Sequence, residues 1–142
     1  MKTAYPRQVF ESVSAVAQHP SYLPLYRALV EYAQDLLGVI DLNGQIRYLS
    51  PAAEAMLHQR SRNLLQTNLR YLCRNDSSAV FSAWLARMQA SFGREFCELS
   101  VGSDADPRIV QLTGVRVKED EYQEVIVISM HDATLEIEAA RA

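Results

Sequence analysis

Along the chain the hydrophobic positions alternate between the period of a helix and that of a strand. Residues 6 to 18, PRQVFESVSAVAQ, set Val9, Phe10, Val13, Val16 and Ala17 at helical spacing. HPSYLP, with its two prolines, interrupts that helix. A second helix is predicted from Leu23 to Leu36. There Leu25, Tyr26, Leu29, Val30, Tyr32, Ala33 and Leu36 make an apolar stripe broader than a surface helix needs. Two explanations stand side by side: packing within the domain, or contact between two copies. From Gly38 the pattern becomes that of a strand. Gly38–Leu42 and Ile46–Leu49 flank Asn43-Gly44, which predicts a two-residue hairpin because both residues tolerate positive φ. Ser50 reads as an N-cap and Pro51 as the first position of a helix over Ala52–Gln59.

Asn63–Leu72 follows as a short helical or irregular segment. Asp76-Ser77-Ser78 predicts the cap of a longer helix, Ser78–Ser91, stopped by Gly93. Its apolar face is Val80, Phe81, Trp84, Leu85 and Met88. Three strands come next: Glu95–Val101, Arg108–Lys118 and Glu124–Met130, separated by the polar turns GSDADP and KEDEYQ. The VIVI run in the last suits a strand buried on both faces. Thr134 then caps a final helix, LEIEAARA. Consecutive strands on short turns imply antiparallel pairing. Strands and helices in separate runs imply an α+β fold: a five-stranded antiparallel sheet with helices on one face, preceded by N-terminal helices.

Composition narrows the function. The 142 residues are 49% hydrophobic and 22% charged, enough for one core. A net charge of −3 supplies no basic stripe for nucleic acid. No run approaches the roughly 20 apolar residues of a membrane span, and the N-terminus lacks the apolar region of a signal peptide. Cys73 and Cys97 have no partners at metal-ligand spacing and read as reduced thiols of a cytoplasmic protein. Asp104 and Asp106 sit in a polar turn, and Glu95 and Glu98 fall on opposite faces of one strand. No nucleophile triad, HExxH, phosphate loop or CxxC is present, so no enzyme is expected.

Two motifs, GVIDLNGQIRYLSPAAEAML and VIVISMHDAT, occur in order around a capped helix and two strands. In that arrangement the chain resembles the PAS domain family over about residues 36 to 134. The resemblance divides the chain into an N-terminal helical extension (1–35), the PAS domain (36–134) and the start of a linker helix (135–142). It implies a sensory, cofactor-binding or dimerising domain that regulates an effector in the same polypeptide. It also implies a pocket between the sheet and the helix carrying Trp84. Flavin does not fit. The light-sensing branch carries Asn-Cys-Arg-Phe-Leu-Gln where this chain has Asn68-Leu69-Arg70-Tyr71-Leu72-Cys73, with Leu69 in the cysteine's place. Val110, Leu112 and Met130 stand where that branch presents polar groups to the flavin edge. The resemblance argues against haem as well: haem-binding members of the family place a histidine on the long helix, where this chain has none, and His19, His58 and His131 lie elsewhere. No cofactor is therefore expected.

Strand alternation and the resemblance together put Ile40, Val110, Leu112, Ile126, Ile128 and Met130 on one wall. Phe81, Trp84, Leu85 and Met88 face them, with Leu69 and Leu72 at the mouth. Such a lining suits a small apolar ligand, fatty or aromatic. Trp84 and Tyr48 would offer it an N–H and an O–H, and Arg70 a partner for a carboxylate. The same stripe equally describes a packed core in a scaffold that homodimerises through its N-terminal helices. Asp132 and Thr134 read either as a signal relay between the last strand and the final helix or as a simple helix cap.

Overall fold

Five strands build the sheet of the computed structural model, which describes residues 22–74 and 76–141. The amphipathic pattern at 6–18 lies outside the described residues. The strands are β1 (Leu36–Asp41), β2 (Ile46–Leu49), β3 (Arg94–Gly102), β4 (Pro107–Lys118) and β5 (Glu124–Asp132). Their order is β2-β1-β5-β4-β3, antiparallel throughout. The helices are α1 (Tyr22–Glu31), α2 (Ala52–Leu57), α3 (Ser61–Leu64), α4 (Ser77–Ala90) and α5 (Thr134–Arg141), with a single 3-10 turn at Leu69–Leu72. One hydrophobic cluster joins the inward side chains of the sheet to α2, α3, the 3-10 turn and α4. The expected α+β architecture is therefore the one observed.

Several local features differ from the expectation, each for a physical reason. The helix expected to reach Leu36 ends at Glu31. Leu36 opens β1 instead, fully buried and in register with Met130, so sheet pairing claims a residue that helical spacing had assigned elsewhere. The hairpin is not a two-residue turn. Asp41 N donates to Gln45 O at 2.9 Å and Gly44 N to Asp41 O at 3.0 Å, and of the loop residues only Gly44 is left-handed, at φ 90°. This is a three-residue loop with glycine at its left-handed position. Asp41 shapes it, its Oδ1 accepting from the N–H of both Asn43 and Gln45 at 2.9 Å.

Ser50 does not cap α2 with its side chain. Its buried hydroxyl accepts from Leu37 N at 2.9 Å, which pins the helix start to β1. His58, left-handed at φ 57°, ends α2 at Leu57, before the expected Gln59. Asp76 makes no side-chain cap either; the Ser77 hydroxyl at the start of α4 accepts from Ser100 N at 2.7 Å. Helix α4 stops at Ala90 because Ser91 is already extended, at φ −149°, before Gly93 is reached. On its face Phe81, Trp84, Leu85 and Met88 are buried, but Val80 is 41% exposed and does not belong to the core.

Edge strand β3 is shielded by side chains and turns rather than by another strand. Ser100 O accepts from Arg74 N at 2.7 Å, Glu95 O from Trp84 Nε1 at 3.0 Å and Phe96 O from Arg87 Nη2 at 3.1 Å. Such contacts engage part of the edge, at Phe96 and Ser100.

Candidate functional site

The interior between sheet and α4 gathers most of the residues singled out by pattern. Ile40, Val110, Leu112, Ile126 and Met130 are fully buried; Ile128 and Leu69 are 1% exposed. Phe81, Trp84 and Met88 face them, also fully buried, with Leu85 beside them at 5%. These side chains pack against one another. The Phe81 and Trp84 rings stack at 5.5 Å between centroids. A Cβ placed on Gly114 of β4 would lie 2.3 Å from Trp84 Cζ2, so the indole rests directly on the glycine backbone. Trp84 cannot serve a ligand as donor, because its N–H already binds Glu95 O.

Tyr48 also stands apart. A register shift between Val39 and Ile40 accompanies its pairing with Val39, and its side chain lies on the outer side of β2, 41% exposed. There it lines an open cleft of about 490 Å³ with Glu31, Glu54, Arg60 and Arg62. Burial, then the nearby Glu31 carboxylate, holds its phenol above the ordinary tyrosine value. Leu72 is half-buried and borders a smaller cleft of about 140 Å³ with Leu57, Tyr71 and Cys73. Arg70 is exposed. Burial pushes the thiols of Cys73 and Cys97 up to about 11 and about 12, which keeps both protonated and poor as nucleophiles.

The second locus is the junction where β5 becomes α5. Asp132 Oδ1 accepts from Thr134 N at 3.0 Å and from the Thr134 hydroxyl at 2.6 Å. That hydroxyl oxygen in turn accepts from Ile109 N of β4 at 2.9 Å. Arg108 Nη1 donates to the other Asp132 oxygen at 3.1 Å, and Nη2 donates to Asp106 at 3.2 Å. Asp106 also pairs with His58 at the end of α2. A continuous polar chain thus runs from α2 across the sheet end to α5. Burial works against ionising Asp132, but the Thr134 hydrogen bonds and the Arg108 charge outweigh it and hold the carboxyl below its usual value.

Beside this chain, His131 is flanked on both ring nitrogens. Nδ1 lies 3.0 Å from Asp35 Oδ1 and Nε2 lies 3.2 Å from Glu136 Oε1. Pattern reading had found Asp132 and Thr134 but not Arg108, Asp106 or His58. The β4–β5 register supplies the missing signal for Arg108: Val110 pairs with Asp132, so Arg108 is its diagonal neighbour. His58 and Asp106 meet only through the tertiary fold.

An antiparallel sheet of this order, packed against a long helix and followed by a C-terminal helix, defines a five-stranded α+β domain. A family model described as the PAS fold matches residues 25–133, and the chain belongs to the PAS family. Similar solved structures agree in fold. The PAS domain of an HTR-like protein from Haloarcula marismortui is 15% identical, with a TM-score of 0.66, covering 89% of this chain and 99% of that one. The PAS domain of nitrogen regulation protein NR(II) from Vibrio parahaemolyticus is 18% identical, with a TM-score of 0.62, covering 76% and 97%. A domain of the sensory box sensor histidine kinase/response regulator from Geobacter sulfurreducens is 21% identical, with a TM-score of 0.60, covering 80% and 97%. No curated protein matches the chain significantly. No helix among the described residues is long and apolar enough to cross a membrane.

Proposed function

We propose that the chain is the regulatory domain of a cytoplasmic signalling protein, that its interior is filled by its own side chains, and that α5 carries its output to an effector domain in the same polypeptide. The observation that supports this reading is the Asp132–Thr134–Ile109 hydrogen-bond set, which couples the first turn of α5 to two strands at once. A change in the sheet therefore reaches the helix through directed bonds rather than through loose contact. Neighbours named as sensor histidine kinases favour an effector of two-component type.

The test is Thr134→Val in the full signalling protein. It keeps the side-chain shape but leaves the Ile109 N–H without its acceptor, at a cost of about 1–3 kcal/mol. Effector output should lose its response to stimulus. Gly44→Ala destabilises to a similar extent at the opposite end of β1 and should leave output intact. Equal effects of the two variants would reduce the junction to a helix cap.

A small fatty or aromatic ligand in the interior is the second reading, favoured by the wholly apolar lining. It requires displacement of Trp84 from Gly114. Native mass spectrometry with melting curves decides it, because a ligand bound only by the native state raises Tm. The exposed Leu25, Leu29 and Tyr32 at α1 suit contact with a second copy. Leu29→Glu should then convert a dimer to a monomer in sedimentation, and Tm should lose any dependence on protein concentration.

A further inference from the structure

We propose that the domain binds a proton as its signal, at His131, whose ring joins the segment leading into β1 to the helix leaving β5. The inference rests on reading α5 as the outgoing element and names its input. Asp35 stands one residue before β1, where the Leu36–Met130 register sets it beside His131. Glu136 lies in the first turn of α5. One imidazole therefore holds a carboxylate from each of the two segments by which the sheet is joined to the rest of the chain.

Both contacts fall within hydrogen-bonding distance, at 3.0 and 3.2 Å. An ionised carboxylate only accepts, and a neutral imidazole has a single N–H to donate. The two contacts can both be hydrogen bonds only when the ring carries two protons. His58 differs in this respect: Nε2 alone faces a carboxylate, that of Asp106, and a neutral tautomer can satisfy it. The two-sided clamp makes His131 a reporter of its own charge.

The side chain is 44% exposed, so the proton exchanges with solvent without a conformational gate. Among the described residues, the charged groups acting on the ring are Asp35 and Glu136. From β4 its cross-strand neighbour is Gln111, which is uncharged. Hydrogen bonding to Asp35, then to Glu136, raises the ring above its ordinary value of 6.5, against a small opposing effect of burial. The clamp is therefore complete below pH 6.5 and opens as pH rises through the raised value. On opening, the ring keeps one carboxylate and releases the other. Glu136 is then free to leave, and α5 retains its far-end pair between Arg141 and Glu98 at 2.9 Å.

The experiment is an NMR titration of the 142-residue chain from about pH 5 to 9. It follows the His131 ring together with the backbone amides of residues 33–36 and 134–141. A ring midpoint above 6.5, shared by both groups of amides, is expected. In Glu136→Gln the midpoint should fall and the α5 amides should stop following the ring, while those next to Asp35 continue. Asp35→Asn should give the reciprocal pattern. All three positions are at or near the surface, so the variants should fold, and melting curves check this. A midpoint at or below 6.5, or amides of either segment that ignore the ring in the unaltered chain, overturns the proposal. An intact titration with an output unaffected by Thr134→Val would instead remove only the reading of α5 as outgoing helix.

Discussion

Adding one methyl group to Gly114 should be enough to unsettle the core. The new Cβ would sit 2.3 Å from Trp84 Cζ2 and 3.0 Å from Cη2, with Ile126 Cγ2 at 3.1 Å. Ordinary contact begins at 3.4 Å, so the indole must retreat by more than 1 Å. It has little freedom to do so. Trp84 is fully buried, stacked on Phe81 and hydrogen-bonded through Nε1 to Glu95 O. Overpacking a full core costs about 1–3 kcal/mol. A swing large enough to strand the indole N–H adds about 1–3 kcal/mol more. Gly114 has no positive φ, so alanine strains no backbone there and the whole effect is one of packing. Gly114→Ala should therefore lose roughly 2–6 kcal/mol, lowering Tm by roughly 10 °C or more. Urea unfolding followed by fluorescence measures this directly, because Trp84 is the single tryptophan of the chain. Gly93→Ala is the control: its Cβ meets only Ser91 Oγ, at 3.7 Å, and stability should be unchanged. A Gly114→Ala protein within about 0.5 kcal/mol of the parent, with the same emission maximum, would refute the filled core and turn attention back to an interior ligand.

Gly44→Ala should cost about 1–2 kcal/mol in the same assay, because the turn holds φ at 90° and the Cβ would press on Asn68 Oδ1 at 3.0 Å. No loss would mean that the hairpin closes by another turn. Asp132→Asn should be less stable than the parent at neutral pH. The folded-state value of Asp132 is lowered, so its contribution is present above the unfolded value of 3.8 and disappears as pH falls through the lowered one. The stability gap between the two proteins, measured by urea unfolding, should close below pH 3.8; a gap constant from pH 7 to 3 would contradict the assignment.

Strand period was sufficient for most of the sheet, because β1, β3 and the middle of β4 alternate strongly enough to fix which face is buried. They failed where one residue type serves two purposes. Ser50 and Ser77 carry the chemistry of helix caps, but their hydroxyls bind strand amides that a linear reading cannot place beside them. Leu36 continued a helical stripe by coincidence of spacing and was reassigned by its pairing with Met130. Tyr48 looked inward until the register shift between Val39 and Ile40 put it on the outer face. The apolar interior was legible residue by residue, whereas its filling was not: only the contact of Trp84 with Gly114 shows that the walls meet. The polar junction was half legible. Asp132 and Thr134 are two residues apart in sequence, but Asp106 and Arg108 arrive from the start of β4 and the turn before it, and His58 from the end of α2.

The strand order has a kinetic consequence. β1 is inserted between β2 and β5, so the first strand of the sheet is completed only by the last. Their pairing closes a loop containing nearly all the rest of the domain, and the entropy of that closure must be met before the ladder forms. During synthesis, β1 and β2 leave the ribosome long before β5 exists, with one flank of β1 unpaired. The hairpin at Gly44 and the bond from Ser50 to Leu37 are the contacts available to hold β1 in shape while it waits. Folding should thus be slow for a domain of this length and limited by the arrival of β5.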